Sequence, residues 1–366
     1  MKIGTIKESR TDENRVALSP GVCKQLIKSG FECYVEKGAG ANSYFLDEQY
    51  AEAGAHVVSA DEVFSKVDVI CKVNPLNDEE ISRLRSGVIV MSLAFHLVNK
   101  ETVEKINGRG ATLFSLDAIP RISRAQSMDV LSSQSNLAGY KAVMLAANES
   151  SKIFPMLMTA AGTITPAKIV IFGAGVAGLQ AIGTAKRLGA VVEVSDIRPE
   201  TKEEVESLGG KFISFDTGNV VIEGGYVKEA GEDTLSRQRE ILKKHLAAAD
   251  VVITTALVPG RKAPVLVTAD MVQVMKHGSV IVDMAVEQGG NCELSELGKV
   301  KVVNGVKIVG YANLPSLLPS NSSEAYAKNV YAFLTHLATK DGFKWDMEDE
   351  ITAGTLICRD GKVLKS

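Results

Sequence analysis

The amino-acid sequence predicts an α/β protein made of two doubly wound domains with mostly parallel sheets. Three observations carry this expectation. Short β-branched runs alternate with charged helical stretches along nearly the whole chain, the pattern of a parallel sheet covered by helices on both faces. The chain has 366 residues, more than one hydrophobic core accommodates, since single cores stop growing at about 250 to 300 residues. Third, the glycines of KIVIFGAGVAGLQA follow an apolar run directly and open a helical stretch, the arrangement of a Rossmann-like strand, turn and helix.

In chain order, KIGTI (2–6) reads as the first strand. A helix follows from Ser19-Pro20 to Gly30, with the serine-proline start and glycine stop expected of helix caps. FECYVEK is a second strand, and the next helix ends near Gly54. HVVS, DVICKV, VIVMSL and ATLFSL are further strands, separated by the helical segments DEEISRLRSG and NKETVEKING. A helix-like segment, YKAVMLAANESSKIF, leads to a second series that runs through KIVIF, AVVEVSD, DVVITTALVPG, SVIVDMAVEQGG and KIVGYANLPS. The stretch SSEAYAKNVYAFLTHLATKDG is apolar at helical spacing and is expected to run back onto the first unit. The expected domains are therefore 1–131 plus 323–366, the first completed by a C-terminal return segment, and 132–322. Residues 217–246 break the pattern: the first half is glycine-rich and polar, the second a charged helix. Long irregular segments inside compact domains tend to be functional or disordered, and a plain surface insertion is the alternative reading.

Composition narrows the function classes. With 45% hydrophobic and 23% charged residues and a net charge of −3, the chain reads as an ordinary globular protein without a broad attraction to nucleic acid. Cys23, Cys33, Cys71, Cys292 and Cys358 lie far apart, without the short paired spacing of a metal or redox motif, so no metal is expected and the thiols suit a reducing compartment. The N-terminus carries nothing like a cleavable signal. The longest apolar run, 169–185, contains four glycines and is short for a membrane span. Any work at a membrane is expected to be peripheral.

Gly173, Gly175 and Gly178 form G-x-G-x-x-G, and each position has a physical reason. The first permits the tight turn, the second lets backbone approach a pyrophosphate, and the third lets helix and strand pack closely. The helix N-terminus adds free N–H groups and a positive dipole end. Asp196 closes the next strand, 23 residues after Gly173, where a carboxylate accepts hydrogen bonds from the adenosine ribose. It would repel the 2′-phosphate of NADP, so NAD is expected; Arg198 could offset part of that repulsion. The first domain lacks such a fingerprint and is expected to hold the other part of the ligand.

The junction RISRAQSMDVLSSQSNLAGY, residues 121 to 140, holds two arginines, two glutamines, an aspartate and five serines. So dense a set of donors and acceptors suits the carboxamide of a nicotinamide, which needs both. This run resembles the signature loop of the NAD(H)-binding component of proton-translocating nicotinamide nucleotide transhydrogenase. The resemblance extends through MTAAGTITPAKIVIFGAGVAGLQAI, SDIRPETKEEVESLGGKFI, GGYVKEAG, ITTALVPGRKAPVL and GSVIVDMAVEQGGNCE, over essentially the whole chain. It implies that Arg121, Gln126, Asp129 and Ser132 hold the nicotinamide and its ribose, with Gln126 and Asp129 as the catalytic pair. It further implies that Ala174, Gly175 and Val176 bind the pyrophosphate and that Asp196, Ile197 and Arg198 take the adenosine side. Gly225 and Tyr226 match a mobile closing loop, and Gln238 and Leu257 match further contacts. The implied partners are NADP(H)-binding and membrane-spanning transhydrogenase subunits and a second copy of the chain, on the cytoplasmic face of a bacterial membrane.

The opening KESRTDENRVALSPGV also resembles alanine dehydrogenase, a related family and the rival reading. Arg15 and His96 sit at positions matching its substrate groups, but its lysine is replaced by Asn74 and its cleft aspartate by Glu287. Lys72 is a poor substitute, since two residues along a strand displace a side chain by about 7 Å. The dehydrogenase also lacks the RISRAQSMD loop. A nucleotide-sensing subunit without chemistry is a third class.

Overall fold

The computed structural model describes residues 1–214, 221–223, 226–229, 232–258 and 260–365. The chain divides into two compact units, Met1–Gln134 with Pro315–Ser366, and Ser135–Leu314.

Among the described residues, the first unit carries an eight-stranded sheet. Its order is Lys362–Val363, Leu356–Arg359, Thr112–Ser115, Ile89–Ser92, Val69–Cys71, Lys2–Thr5, Glu32–Glu36, His56–Val58. The six strands before residue 116 are parallel. Leu356–Arg359 runs antiparallel to Thr112–Ser115 and carries Lys362–Val363 as an antiparallel partner, so the return segment adds an antiparallel edge. Alternation of side chains explains the two-sided core. Val69, Cys71, Ile89, Met91 and Phe114 pack against the return helix Pro319–Leu337 through Tyr326, Val330, Phe333 and Leu337. Ile70, Val90 and Leu113 pack on the opposite face with Val63, Phe64, Ile81 and Ile106. The first helix, Pro20–Lys28, starts as the sequence implies: the Ser19 side chain accepts from the Val22 amide at 3.3 Å, with proline in the first turn.

The second unit repeats the plan. Its sheet runs Lys211–Phe212, Val191–Ser195, Lys168–Phe172, Val251–Thr254, Val280–Asp283, Val306–Val309, Val300–Val303, all parallel except the last. Ile169 and Ile171 enter one core and Val170 and Phe172 the other. Both sheets have the doubly wound order, which reverses direction beside Lys2–Thr5 in one and Lys168–Phe172 in the other. Ligands of such folds bind at that switch point, outside the carboxyl ends of the strands. The switch points lie between Lys2–Thr5 and Val69–Cys71, and between Lys168–Phe172 and Val251–Thr254.

Several elements differ from the sequence reading, among them the return strand Leu356–Arg359 and the following two. The polar junction is a 3-10 turn, Ser123–Met128, followed by a helix that already begins at Val130 and continues to Glu149. Leu157–Thr159 and Gly162–Ile164 form an exposed hairpin that the sequence reading does not contain. Its MTAAGT core offers neither a long apolar run nor strict alternation.

Candidate functional site

The switch point of the second unit is built by its glycines. Gly173 ends the strand with φ +98°, and a Cβ there would meet the Thr255 hydroxyl at 2.5 Å. A Cβ on Gly178 would sit 1.9 Å from the Gly173 carbonyl, so the helix Val176–Arg187 approaches the strand at a distance only glycine permits. Gly175, the N-cap of this helix, differs: a Cβ there would meet nothing within 4 Å. Packing does not require glycine at 175, and the bare backbone leaves the approach to the Gly175 and Val176 amides open. An anionic group fits this place.

Asp196 follows the strand Val191–Ser195 and is buried. Its Oδ2 accepts from the Ala174 amide at 2.6 Å and from Arg198 Nη2 at 2.9 Å. Oδ1 accepts from the Arg198 amide at 2.8 Å and Nε at 3.0 Å. The Arg198 guanidinium is raised above its ordinary range by these hydrogen bonds to Asp196. Arg198 thus neutralises the carboxylate directly. Ile197, half-buried, lies between them in sequence.

Leu257, 38% exposed, follows the neighbouring strand Val251–Thr254 at the same carboxyl edge. Beneath that edge lie two side chains that sequence reasoning missed. Buried Asp283 accepts from Thr254 Oγ1, the Ala285, Asn291 and Cys292 amides, and Ser295 Oγ, at 2.5 to 3.2 Å. Asn291 donates to the Ala256 and Pro264 carbonyls and accepts from the Ala256 amide, tying the turn before Leu257 to the loop after Asp283. Only the polar Asp283 at a strand end and Asn291 in the following loop hinted at this. Tyr226 and Gln238 lie on the strand Tyr226–Glu229 and the helix Glu232–Ala248. Their side chains, and Gly225 entirely, lie outside the described residues.

Of the junction, Arg121, Gln126, Asp129 and Ser132 belong to the first unit. Ile122, Ala125 and Met128 recur every three residues, the period of a 3-10 turn. Ala125 and Met128 are buried in the first core and Ile122 packs against it, which leaves Arg121 and Gln126 on the exposed side. Asp129 ends this turn and caps the next helix: Oδ1 accepts from the Ser132 amide at 2.9 Å and Oδ2 from the Ser132 hydroxyl at 2.6 Å. Two of the expected ligand groups are therefore engaged with each other. Each Asp129 oxygen keeps acceptor capacity for one more donor.

At the switch point of the first unit, the chain's own charges meet. Arg15 donates from Nε and Nη2 to the two oxygens of Glu13 at 2.7 and 2.6 Å, and from Nη1 to Gln134 at 2.8 Å. Lys72, fully buried, grips Glu80 at 2.6 and 2.7 Å. Asn74 donates to Glu13 at 2.9 Å and to Glu8 at 3.1 Å. Burial, outweighing the attraction of Lys72, pushes Glu8 up to about 7. Burial opposes ionisation of Glu13 as well, but the hydrogen bonds and charge of Arg15 prevail and hold it down to about 2. His96 is buried, its Nδ1 lies 4.0 Å from Asp117, and burial lowers it below the ordinary histidine value. The groups that an amino acid carboxylate would need are thus already paired internally.

Among the described residues no group of three or more His, Cys, Asp or Glu is arranged to hold a metal, and no helix is long and apolar enough to cross a membrane.

A doubly wound sheet with this glycine turn at its switch point and an acidic residue closing the next strand defines a dinucleotide-binding protein. The family model of the alanine dehydrogenase/PNT N-terminal domain matches residues 4–138 and that of the C-terminal domain matches 142–366. The chain belongs to the alanine dehydrogenase/PNT family. It is 50% identical over 375 residues to the first portion of NAD(P) transhydrogenase subunit alpha of Rhodospirillum rubrum, covering 100% of this chain and 98% of that one. Against alanine dehydrogenase 2 of Staphylococcus aureus (strain USA300) the identity is 30% over 349 residues, covering 93% and 88%. The crystal structure of transhydrogenase from Sinorhizobium meliloti superposes with a TM-score of 0.88 at 44% identity, covering 100% of this chain and 99% of that one.

Proposed function

We propose that this chain is the NAD(H)-binding component of a proton-translocating, Re/Si-specific transhydrogenase, passing hydride between NADH and NADP⁺ carried by a partner domain. The contrast between the two switch points supports this reading: one is open at Gly175 beside Asp196, the other is filled by Glu13–Arg15 and Lys72–Glu80. A chain that takes a dinucleotide but seats no small carboxylate substrate needs its hydride acceptor from outside. The names of its transhydrogenase relatives agree with that division of labour.

In this reading the turn Ala174–Gly175–Val176 receives the pyrophosphate through the open Gly175 and Val176 amides, while the Ala174 amide holds Asp196 and Gly173 and Gly178 shape the turn. Asp196, Ile197 and Arg198 receive the adenosine, and Gly225, Tyr226, Gln238 and Leu257 complete the binding set. Arg121, Gln126, Asp129 and Ser132 orient the nicotinamide and its ribose. Bound NADH supplies the hydride from its dihydronicotinamide ring. No side chain of this chain has to move a proton at that step, so the contribution of Gln126 and Asp129 is alignment. Membrane-spanning and NADP(H)-binding subunits are the proposed partners, with a homodimer of this chain peripheral to the cytoplasmic face of a bacterial membrane.

Two assays test the reading. Purified chain supplied with NADH and an NADP(H)-binding transhydrogenase domain loaded with NADP⁺ should transfer hydride. Gln126→Ala and Asp129→Asn should slow transfer about tenfold or more while NADH affinity changes less. Chain given L-alanine and NAD⁺ should form no NADH. Alanine-dependent NADH formation would favour the dehydrogenase, and tight NADH binding with inactivity in both assays would favour a sensor.

A further inference from the structure

The junction turn that carries Gln126 ends in carbonyl groups which a 3-10 turn leaves without internal partners. One of them is claimed from the return helix. Asn329, on Pro319–Leu337 and 8% exposed, donates from Nδ2 to the Ser127 carbonyl at 2.8 Å. Its Oδ1 accepts from the Ser133 hydroxyl at 2.6 Å. Ser127 lies one residue after Gln126, and Ser133 one residue after Ser132. A single amide therefore spans the two ends of the segment Gln126–Ser132, whose middle is pinned by Met128 in the core and by the Asp129 cap.

A second brace lies on the outer side of the turn. Arg124 Nη1 is 2.7 Å from Asp349 Oδ1, while Asp349 Oδ2 accepts from the Thr352 amide and hydroxyl and pairs with His336. The Arg124 side chain is 53% exposed against 8% for Asp349, and water competes for a guanidinium so exposed, which weakens its hold on the turn. The buried, two-sided contact of Asn329 dominates the hold on the turn.

We infer that Asn329 is a positioning residue for hydride transfer, holding Gln126 and the Asp129–Ser132 cap in fixed register through the Ser127 carbonyl and the Ser133 hydroxyl. The inference rests on the proposed transhydrogenase function. Its action is geometric: loss of the clamp lets the turn move relative to the helix start, and misplacement on the order of 1 Å can cost about a hundredfold in rate. Nucleotide affinity, set mostly by the glycine turn and Asp196, should change little.

Asn329→Asp is the informative variant. It keeps an acceptor for the Ser133 hydroxyl but sets a carboxylate oxygen against the Ser127 carbonyl. On protonation its O–H regains the lost donor, and burial beside a carbonyl raises the pH at which that happens. The full chain with an NADP(H)-binding transhydrogenase domain would be assayed for single-turnover hydride transfer between about pH 8 and about pH 5.5, with NADH affinity measured in parallel by fluorescence. The expected result is a loss of about tenfold or more in transfer rate at the high end, less than about threefold in affinity, and a deficit relative to wild type that shrinks as pH falls. Asn329→Ser, which retains a hydroxyl but cannot reach both partners, should be slow at every pH. Gln126→Ala serves as the reference. If Gln126→Ala is slow and folded Asn329 variants transfer at the wild-type rate, the clamp is refuted while the role of the loop stands; if Gln126→Ala is also as fast as wild type, both are refuted. An Asn329→Asp deficit independent of pH and matched by an equal loss in affinity also overturns the assignment.

Discussion

Asp196 is readable as a ribose acceptor from its place at the end of a strand, but its state is not. Four N–H contacts from Ala174 and Arg198 use the roughly four acceptor positions of a carboxylate. On the proposed function an incoming ribose competes with the Arg198 side chain for Asp196, and spacing does not reveal this because two residues along the chain do not show a guanidinium folded back. Arg198 then has two opposed effects: it occupies Asp196, and it weakens the repulsion of a 2′-phosphate. Removing Asp196 (D196A) should weaken NADH binding by about tenfold or more and bring NADH and NADPH affinities together. Arg198→Ala should weaken NADPH binding more than NADH binding, widening the preference. Fluorescence titration of both nucleotides decides it; a D196A variant with unaltered affinities would remove Asp196 from the site.

At the scale of elements, the strand, turn and helix around the fingerprint are legible because each glycine answers a local requirement. Those requirements are separable by experiment. Gly178→Ala places a Cβ 1.9 Å from a carbonyl oxygen and must part helix from strand. A cost of about 1 to 3 kcal/mol or more is expected, read as a lowered Tm. Gly175→Ala adds a Cβ in open space at φ −80°, so stability should stay within about 1 kcal/mol. NADH affinity should nevertheless fall about tenfold, because the added methyl stands where the pyrophosphate meets the backbone. Equal effects of the two substitutions on both measurements would contradict this assignment of roles. The junction is less legible for a physical reason: its buried residues are the small Ala125 and the isolated Ile122 and Met128, whose period of three is easily lost among serines and glutamines. Reading Asp129 as a helix cap, with Ser132 three residues on, would have moved the helix start ten residues forward of Tyr140. The antiparallel return strand Leu356–Arg359 is equally hidden, since its TLICR run is short and its partner lies more than two hundred residues away.

Across the whole molecule, one architecture occurs twice with its switch points put to opposite uses. In the second unit, glycines keep the place open. In the first, Glu8, Glu13, Glu80, Arg15, Lys72 and Asn74 fill it, and this burial of charge couples stability to pH. Glu8, raised to about 7, binds its proton more tightly folded than unfolded, so its contribution is complete below about pH 4.5 and is lost as pH rises through about 7. Glu13, lowered to about 2, has the opposite sign: its contribution is present above about 4.5 and is lost as pH falls toward 2. The loss from Glu8 alone is on the order of 3 kcal/mol across its window, taking 1.36 kcal/mol per pKa unit. Glu8→Gln carries no proton to lose, and its amide oxygen still accepts from the Val73 amide that Glu8 engages at 2.7 Å. Urea unfolding followed between about pH 5 and about pH 8 should show the wild-type first unit losing stability relative to Glu8→Gln as pH rises, with most of the divergence complete near 7. Parallel profiles for the two proteins would mean that Glu8 is ionised throughout. The filled switch point would then carry an uncompensated negative charge that this arrangement of two cations and three carboxylates gives no physical reason to tolerate.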